Sequence, residues 1–264
     1  MISILHAVIL GIIEGVTEFL PISSTGHLIV ASELLGFQDT DGTFEIGIQL
    51  GAVIAVMWFY RVNLIEHART LPSNASVRRF WAGIVLAFIP AGIIGYLFSD
   101  FFTDNFLNPQ VVAVSLIVGG VILWLVEMFP RKAVTHEPND ISIRQAVTVG
   151  LIQLFAFIPG MSRSGSTIVG GMLAGLDRKT ATAFSFYLAM PTLGGATVYA
   201  LLKDIDNVLN SALAEILVGI AVSFIVALIA IKWLLRYVSR NSFKLMAAYR
   251  VIAGLAILAI FAKL

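Results

Sequence analysis

The sequence contains no cysteine among its 264 residues. This absence excludes disulfide bonds, thiolate zinc sites and cysteine nucleophiles, and it leaves the redox compartment undefined. Charged residues are also scarce, at 12% of the chain, and the formal net charge is only +1. A charge this small gives no electrostatic attraction to nucleic acid, so we expect no nucleic-acid partner.

The sequence is instead rich in long apolar segments. Hydrophobic residues make up 58% of the chain, which is typical of an integral membrane protein. A bilayer core about 30 Å thick needs about 20 apolar residues per helix. The apolar start of the chain lacks a basic leader, so we expect no cleaved signal peptide. Six full spans are predicted, at about 43 to 61, 80 to 99, 109 to 129, 181 to 202, 211 to 235 and 245 to 263.

Four further apolar segments are too short or too broken to cross a bilayer on their own. Pro21 separates the first two, and Pro159 with Gly160 separates the last two. We interpret them as half-helices of two re-entrant hairpins. The predicted fold class is therefore an all-α polytopic membrane protein, with about six full transmembrane helices plus two re-entrant helical hairpins. The four segments cover about 2 to 20, 24 to 36, 143 to 157 and 165 to 176.

The two halves of the chain resemble one another when one is shifted by about 139 residues. Gly11 then falls on Gly150, Glu14 on Gln153, Ser23 on Ser162 and Gly26 on Gly165, while Gly83 aligns with Gly219 at a slightly shorter offset. Each half has one hairpin and an odd number of spans, so the second copy must be upside down, as an inverted-topology repeat. The predicted organisation is a single membrane domain over 1–264, with repeat 1 at about 1–129, a cytoplasmic linker at about 130–142 and repeat 2 at about 143–264.

Basic residues predict the orientation of the chain. Loops rich in Lys and Arg face the cytoplasm in membrane proteins, and here they alternate with acidic loops. The first hairpin then enters from the outer side and the second from the cytoplasm, so that their ends meet near the middle of the membrane. The predicted cytoplasmic set is Arg61, Arg69, Arg78, Arg79, Arg131, Lys132, Arg144, Arg178, Lys179, Arg236, Arg240 and Lys244. The predicted outer set is Asp39, Asp41, Asp100, Asp104, Asp204 and Asp206, with Lys203 as its one basic residue.

The first tip, residues 14–27, begins with two carboxylates. Glu14 and Glu18 are four residues apart, so on a helix both lie on one face, one turn apart. Two carboxylates this close in a low dielectric need either a shared proton or a cation between them. A hard divalent ion such as Mg²⁺ suits oxygen ligands, and no thiolate or His-rich spacing favours zinc. The alternative is that both acids lie at the headgroup edge and meet water.

The rest of the first tip, Ser23, Ser24, Thr25, Gly26 and His27, opens the outgoing half-helix. Hydroxyls at this place are typical N-caps. The unpaired N–H groups and partial positive charge of a helix N-terminus also favour phosphate. His27 follows Ser24 by three residues, so the two offer a hydroxyl nucleophile with a base, or an imidazole nucleophile with a hydroxyl that holds phosphate. The alternative is that the hydroxyls only cap the helix and that His27 has a purely structural role.

The second tip, residues 153–167, combines a helix breaker, glycines, hydroxyls and one guanidinium. Gly160 and Gly165 allow close backbone approach, and a new helix N-terminus follows them. Arg163 can bind phosphate through two parallel hydrogen bonds. The alternative is a structural pairing of Arg163 with Glu14 or Glu18, which a ligand phosphate would displace. The hydroxyls of this tip are Ser162, Ser164, Ser166 and Thr167.

In their order and spacing, the two tips resemble the signature segments of the bacterial undecaprenyl-diphosphate phosphatase family, of the bacitracin-resistance type. The resemblance covers the whole chain and includes the Tyr249 and Arg250 pair of the last span. It implies hydrolysis of undecaprenyl diphosphate to undecaprenyl phosphate and inorganic phosphate. This reaction would recycle the lipid carrier for peptidoglycan and other envelope polymers and confer bacitracin resistance.

The resemblance also implies roles for individual residues. Glu14 and Glu18 are expected to bind a divalent cation, Mg²⁺ or else Ca²⁺. Whether Ser24 or His27 forms the covalent bond is left open. The expected catalytic residues are Glu18, Ser24, His27 and Arg163, and the expected substrate-binding residues are Ser23, Thr25, Gly26, Ser162, Ser164 and Thr167.

The expected location is the bacterial cytoplasmic (inner) membrane, with the active site opening to the periplasmic side. The expected partners are the polyprenyl diphosphate substrate and membrane lipids, and a homodimer is left open. The rival class is a flippase or transporter of undecaprenyl phosphate or another anionic lipid, because inverted repeats with broken helices are also transporter architecture. Fold alone does not separate the two classes.

Overall fold

The computed structural model describes residues 3–37, 43–106, 108–203 and 213–261. Within these ranges the regular structure is helical, which confirms the predicted all-α class. Two short 3-10 helices cover Pro138–Asp140 and Gln153–Phe157. The helices of the described ranges are α1 (Ile4–Thr17), α2 (Ser24–Leu34), α3 (Thr43–Phe59), α4 (Arg61–Thr70), α5 (Ala75–Phe106), α6 (Pro109–Met128), α7 (Ile143–Ile152), α8 (Arg163–Leu173), α9 (Arg178–Lys203), α10 (Leu213–Val238) and α11 (Lys244–Phe261).

Each of the six predicted spans corresponds to a helix. By length and composition, four helices of the described ranges can each cross a membrane, namely α5, α6, α10 and α11. A fifth span results if α3 and α4, which are bent by 61° at their junction, count as one. The chain is therefore a multi-pass membrane protein. Apolar side chains such as Val85, Ile89 and Ile93 on α5 are exposed on its surface, as a lipid environment requires.

Helix α9 is long enough to span but is more polar than the other five. Every residue from 181 to 189 is buried, including Thr182 and Ser185. These hydroxyls lie inside the helix bundle and do not face lipid, which removes the cost of placing them at membrane depth. The first half of the predicted span at 181 to 202 thus lies inside the bundle, and α3, α5 and α8 pack against α9.

Helix α4 differs from the sequence-based expectation, which placed a loop directly after residue 61. The chain bends at Tyr60 and continues as a polar helix. Arg61 anchors this bend, because its guanidinium lies 4.7 Å from the ring centre of Trp58 and donates to the Trp58 carbonyl at 2.8 Å. Helix α5 also extends beyond the predicted 80 to 99 at both ends.

Both predicted hairpins are present as pairs of short helices, α1 with α2 and α7 with α8. Helices α2 and α8 begin in the same way. Ser23 and Ser162 both have φ of 71°, and each side chain accepts a hydrogen bond from the N–H three residues on, at Gly26 and Gly165 respectively. A positive φ is uncommon for a residue with a side chain. The same unusual start therefore recurs at two positions that the repeat aligns.

Helix contacts recur in the same pairwise manner. Helix α1 packs against α10, and its counterpart α7 packs against α5. A Cβ added at Gly11 would lie 2.8 Å from the Gly219 carbonyl oxygen, and one added at Gly150 would lie 2.4 Å from that of Ala87. These contacts support the repeat, while its boundaries and inverted orientation stay predictions. Of the predicted outer-loop residues, Asp39, Asp41, Asp204 and Asp206 lie outside the described residues.

Two carboxylates accept hydrogen bonds that connect neighbouring segments at the end of the bundle near the linker. The buried Glu127 accepts from the Arg178 side chain through both oxygens and from the Phe243 N–H at 2.9 Å, which ties α6, α9 and the start of α11 together. This hydrogen bonding raises the pKa of Arg178. Asp177 caps α9 by accepting from the Thr180 N–H at 2.7 Å, and it also accepts from His136 at 2.9 Å.

Candidate active site

The ends of the two hairpins touch one another. The Ser164 hydroxyl donates to the Leu20 carbonyl at 2.8 Å. The Arg163 guanidinium donates from Nη2 to Glu18 Oε1 at 3.0 Å, and both side chains are nearly enclosed, with 11% and 5% of their surface exposed. The structure thus brings the first and second tips into one site.

Glu18 lies at the centre of this contact. Its second oxygen, Oε2, accepts from the Ser24 hydroxyl at 2.5 Å, a length typical of a hydroxyl bound to a carboxylate. One carboxylate therefore holds the guanidinium of one tip and the hydroxyl of the other. The pairing of Arg163 with a glutamate, expected as an alternative to phosphate binding, exists here with Glu18.

Arg163 is held on its other side by α9. Its Nη1 donates to the Ser185 carbonyl at 3.1 Å, and its guanidinium carbon lies 5.8 Å from the ring centre of Phe19. Its Nε is buried and has no hydrogen-bond partner among the described residues. A buried donor of this kind needs an acceptor, and an anionic ligand would provide one.

The hydroxyls of the second tip bond mainly to one another and to the backbone. Because Ser164 donates to Leu20, the 3.0 Å contact between Ser162 and Ser164 has Ser162 as its donor. Thr167 donates to the Arg163 carbonyl at 2.9 Å and lies 2.6 Å from the Ser185 hydroxyl. Ser162, Ser164 and Thr167 are all buried. They shape the tip, and their predicted contact with substrate stays a prediction.

In the first tip, Ser23 caps α2 and Gly26 provides clearance for a neighbour. A Cβ added at Gly26 would lie 3.1 Å from the Leu116 side chain on α6, so the start of α2 packs closely against that helix. Thr25 is half-buried in the first turn.

His27 bonds to the backbone and to a tyrosine. Its Nδ1 lies 2.7 Å from the Ser23 carbonyl oxygen, and since a carbonyl can only accept, Nδ1 carries the proton. In the neutral ring, Nε2 then accepts from the Tyr249 hydroxyl at 2.5 Å. The two rings are stacked, with centres 5.6 Å apart and planes inclined by 7°. Ser24 and His27 thus bond to different partners, and the expected bond between them is not formed among the described residues.

Glu14 is the residue that best fits a divalent cation. It is buried to 1% exposure, and its Oε1 has no hydrogen-bond partner among the described residues. Both oxygens of Glu18 are engaged, by Ser24 and Arg163. The described residues hold no group of three or more acidic, His or Cys side chains that could bind a metal ion on their own. This donor set suits Mg²⁺, which usually keeps several waters and binds through one or two carboxylates together with substrate phosphate.

Arg250 is the largest fully buried side chain in the described ranges and braces both tips. Its Nη1 donates to the Pro21 carbonyl at 3.1 Å, and its Nη2 to the Gly160 and Met161 carbonyls at 3.1 and 2.9 Å. Its Nε donates to the Leu116 carbonyl at 3.3 Å, which joins the tips to α6. In the sequence this arginine was noted only as part of the Tyr249 and Arg250 pair, and its partners could not be identified.

A glycine makes room for this brace. A Cβ at Gly119 would lie 2.0 Å from Nη2 of Arg250, so any larger residue there would force the guanidinium to move. Two further residues of the site were missed by sequence reasoning. Ser185, which holds Arg163, carried no signal. Tyr249, which holds His27, was indicated only through the family resemblance.

Fold and site together define a class of protein: a helical integral membrane protein in which two broken helices meet and enclose an acidic, hydroxyl, imidazole and guanidinium cluster. Comparison with known proteins makes this class specific. The family model described as bacitracin resistance protein BacA matches residues 7–256, and the chain belongs to this family.

Relatives match over nearly their whole length. The undecaprenyl-diphosphatase of Deinococcus radiodurans is 46% identical over 263 residues, which cover 98% of this chain and 96% of the relative. The undecaprenyl-diphosphatase of Methylobacillus flagellatus is 47% identical over 267 residues, covering 99% of both chains. Undecaprenyl-diphosphatase 3 of Acinetobacter baylyi is 46% identical over 259 residues, covering 97% of both.

Proposed function

We propose that this protein hydrolyses undecaprenyl diphosphate to undecaprenyl phosphate and inorganic phosphate, the activity named for its relatives. The reaction returns the lipid carrier to peptidoglycan and envelope polymer synthesis, and in this way confers resistance to bacitracin. The observation that carries the proposal is the contact of Glu18 with both Ser24 and Arg163, because it joins a nucleophile, a base and a phosphate ligand across the two tips.

Arg163 binds the terminal phosphate of the substrate. The phosphate displaces Glu18 from Nη2 and also reaches the unpaired Nε, which gives the guanidinium two parallel hydrogen bonds to one anion. The N-termini of α2 and α8 add their partial positive charge at the same place. These fixed donors stabilise the charge that develops on the phosphoryl group in the transition state.

Ser24 forms the covalent bond in the first step. Its Oγ attacks the terminal phosphorus, the bond to the bridging oxygen breaks, and undecaprenyl phosphate leaves, while the Ser24 proton moves to Glu18 Oε2. When Arg163 bonds to the phosphate it no longer pairs with Glu18, and the carboxylate then accepts a proton more readily. His27 as nucleophile is the second candidate, and Ser24 is favoured over it because the Ser24 hydroxyl is already bonded to a carboxylate that can accept its proton.

Water completes the reaction in the second step. The water oxygen attacks the phosphorus of phosphoserine, a water proton moves to His27 Nε2, and the Ser24 oxygen leaves with the proton held by Glu18. The Ser24 hydroxyl is restored, His27 passes its proton to the departing inorganic phosphate, and the phosphate is released. Glu14, with Glu18 once it is freed from Arg163, would hold a divalent cation. When bound, such a cation supplies neutralising charge to the phosphate oxygens.

We also propose that the protein lies in the bacterial cytoplasmic membrane with its site open to the periplasmic side. Support comes from the alternation of basic and acidic loops along the sequence. The prenyl tail then stays in lipid beside the exposed apolar helix faces, and only the diphosphate enters between the tips.

The test is phosphate release by the purified protein in detergent from the C55 lipid diphosphate, with and without EDTA. Wild type and Ser239→Ala, a control at an exposed serine, release phosphate, whereas Ser24→Ala does not. A phosphoryl group from terminally labelled substrate is trapped on wild type after acid quench and is absent from Ser24→Ala. Movement of labelled undecaprenyl phosphate across vesicles without any hydrolysis would favour the transporter class and reject the proposal.

A further inference from the structure

Tyr249 holds His27 from a distant part of the chain. The two residues are 222 positions apart, on α11 and α2, and their contact combines a 2.5 Å hydrogen bond with stacked rings. The other hydrogen bond of the imidazole, to the Ser23 carbonyl, comes from the start of the same helix. Tyr249 is therefore the tertiary contact that determines where the ring lies.

The position of Tyr249 is itself fixed by its neighbour. Arg250 is bonded to carbonyls of Pro21 in the first tip and of Gly160 and Met161 in the second. Helix α11 consequently has one register relative to both tips. The Tyr249 hydroxyl is placed at His27 Nε2 by the same helix that holds the site together.

A phenol hydroxyl suits an imidazole that changes its protonation state. It donates to Nε2 of the neutral ring, and after the ring takes a proton it accepts from the new Nε2–H. A phenylalanine would preserve the stacking but neither hydrogen bond. The contact therefore favours a histidine that takes up and releases a proton on Nε2 over one that only caps a helix.

We propose that Tyr249 is a positioning residue for His27: it holds the imidazole in the orientation from which Nε2 accepts the water proton in the second step. This inference rests on the proposed phosphatase function. In that step the hydroxyl gives up its place on Nε2 to the attacking water and then accepts from the protonated ring. No bond of Tyr249 itself is made or broken apart from these hydrogen bonds.

The first test is kinetic. Tyr249→Phe is expected to lower kcat about tenfold or more while KM changes less than about threefold, because the hydroxyl acts on the reaction and not on lipid binding. Tyr249→Leu, which also removes the stacked ring, is expected to lower kcat further. Tyr199→Phe, at an exposed tyrosine of α9, serves as the matched control and keeps wild-type rates. A raised KM with unchanged kcat, or unchanged kinetics altogether, would overturn the inference.

The second test does not depend on turnover. The chain has four histidines, and with ¹⁵N-labelled histidine the resonance of unprotonated Nε2 in His27 is identified by its loss in His27→Gln. It is expected to move in Tyr249→Phe and to stay in place in Tyr199→Phe, and an unmoved resonance in Tyr249→Phe would reject the contact. If wild type and Tyr199→Phe release no phosphate, the phosphatase function has failed, whereas the resonance still reports whether Tyr249 holds the ring.

Discussion

Glu18 and Arg163, which are 145 positions apart in the chain, form a buried ion pair with 3.0 Å between Oε1 and Nη2. A buried pair of this kind contributes little net stability, since desolvation of both charges offsets most of their attraction. In the proposed mechanism this pair separates when substrate binds, so that Arg163 bonds to the phosphate and Glu18 becomes free to accept a proton.

The ion pair predicts that Arg163 cannot be replaced by another cation. Arg163→Lys keeps the charge but loses the planar fork, so phosphate release is expected to fall by about 100-fold or more. Arg144→Lys, at an exposed arginine of α7, is the matched control and is expected to be active. Rates are measured on purified protein in detergent. Near-normal turnover by Arg163→Lys would remove Arg163 from the phosphate site.

Glu14 is predicted to set the metal requirement. Glu14→Gln keeps the size of the side chain but removes the charge, so the Mg²⁺ concentration for half-maximal activity is expected to rise at least about tenfold. Glu33→Gln, at an exposed glutamate of α2, is expected to match wild type. The measurement is a Mg²⁺ titration after treatment with EDTA. Superimposable titration curves for Glu14→Gln and wild type would contradict this assignment.

Arg250 is predicted to stabilise the assembled tips. Arg250→Met leaves several buried carbonyls without donors, each at a cost of about 1 to 3 kcal/mol, so thermal unfolding in detergent should occur at a clearly lower temperature. Gly119→Ala is expected to act in the same direction, because its Cβ would lie 2.0 Å from the guanidinium. Arg236→Met, at an exposed arginine, is the control. Equal unfolding temperatures for Arg250→Met and Arg236→Met would contradict the prediction that Arg250 stabilises the assembled tips.

The repeated helix contacts predict matched effects in the two halves. Gly11→Ala and Gly150→Ala both place a methyl group against a carbonyl of the facing helix, at 2.8 and 2.4 Å, so each should destabilise by about 1 to 3 kcal/mol. Gly195→Ala, whose Cβ would have its nearest neighbour at 3.9 Å, should be neutral or stabilising. Unfolding temperatures check this. Tolerance of alanine at Gly150 would show that α5 and α7 lie further apart.

Asp177 is predicted to give an acid-sensitive contribution to stability. Burial raises the pKa of this carboxyl, but hydrogen bonds from Thr180 and His136 outweigh burial and leave the pKa below its ordinary value. The contribution is therefore present above the unfolded pKa of about 3.9 and is lost as pH falls through the lower folded value. Asp177→Asn, which keeps the cap, should unfold at a lower temperature than wild type at pH 7. An equal difference in unfolding temperature between Asp177→Asn and wild type at acid pH would contradict this prediction.

Much of the fold could be predicted because its signals are local. Apolar length marks the spans, and Pro21 and Pro159 mark the two breaks, so the hairpins were expected close to where α1 with α2 and α7 with α8 lie. The sequence analysis did not predict the bend into α4. This bend depends on contacts of Arg61 with the ring and the carbonyl of Trp58, which appear only in the folded chain. The sequence alone could not distinguish this turn from a loop.

The site was predictable in its residues and less so in its pairings. Spacing placed His27 within reach of Ser24, but the side chain of a first-turn residue points back toward the preceding segment, where Glu18 lies. The partners of Arg250 are backbone carbonyls from separate segments, and every residue has such a carbonyl. No sequence pattern marks which of them will converge on a guanidinium, so these contacts required the folded chain.

The brace made by Arg250 also has a consequence for biogenesis. Helix α11 is inserted after all the other described helices, and until it arrives nothing supplies the donors for the Pro21 and Gly160 carbonyls. During synthesis on the ribosome, the two tips are therefore joined at first only by their direct contacts, Ser164 with Leu20 and Arg163 with Glu18. A polypeptide whose translation stops before this helix would carry every acid, hydroxyl and imidazole of the centre and still lack the guanidinium that bonds to the backbone of both tips.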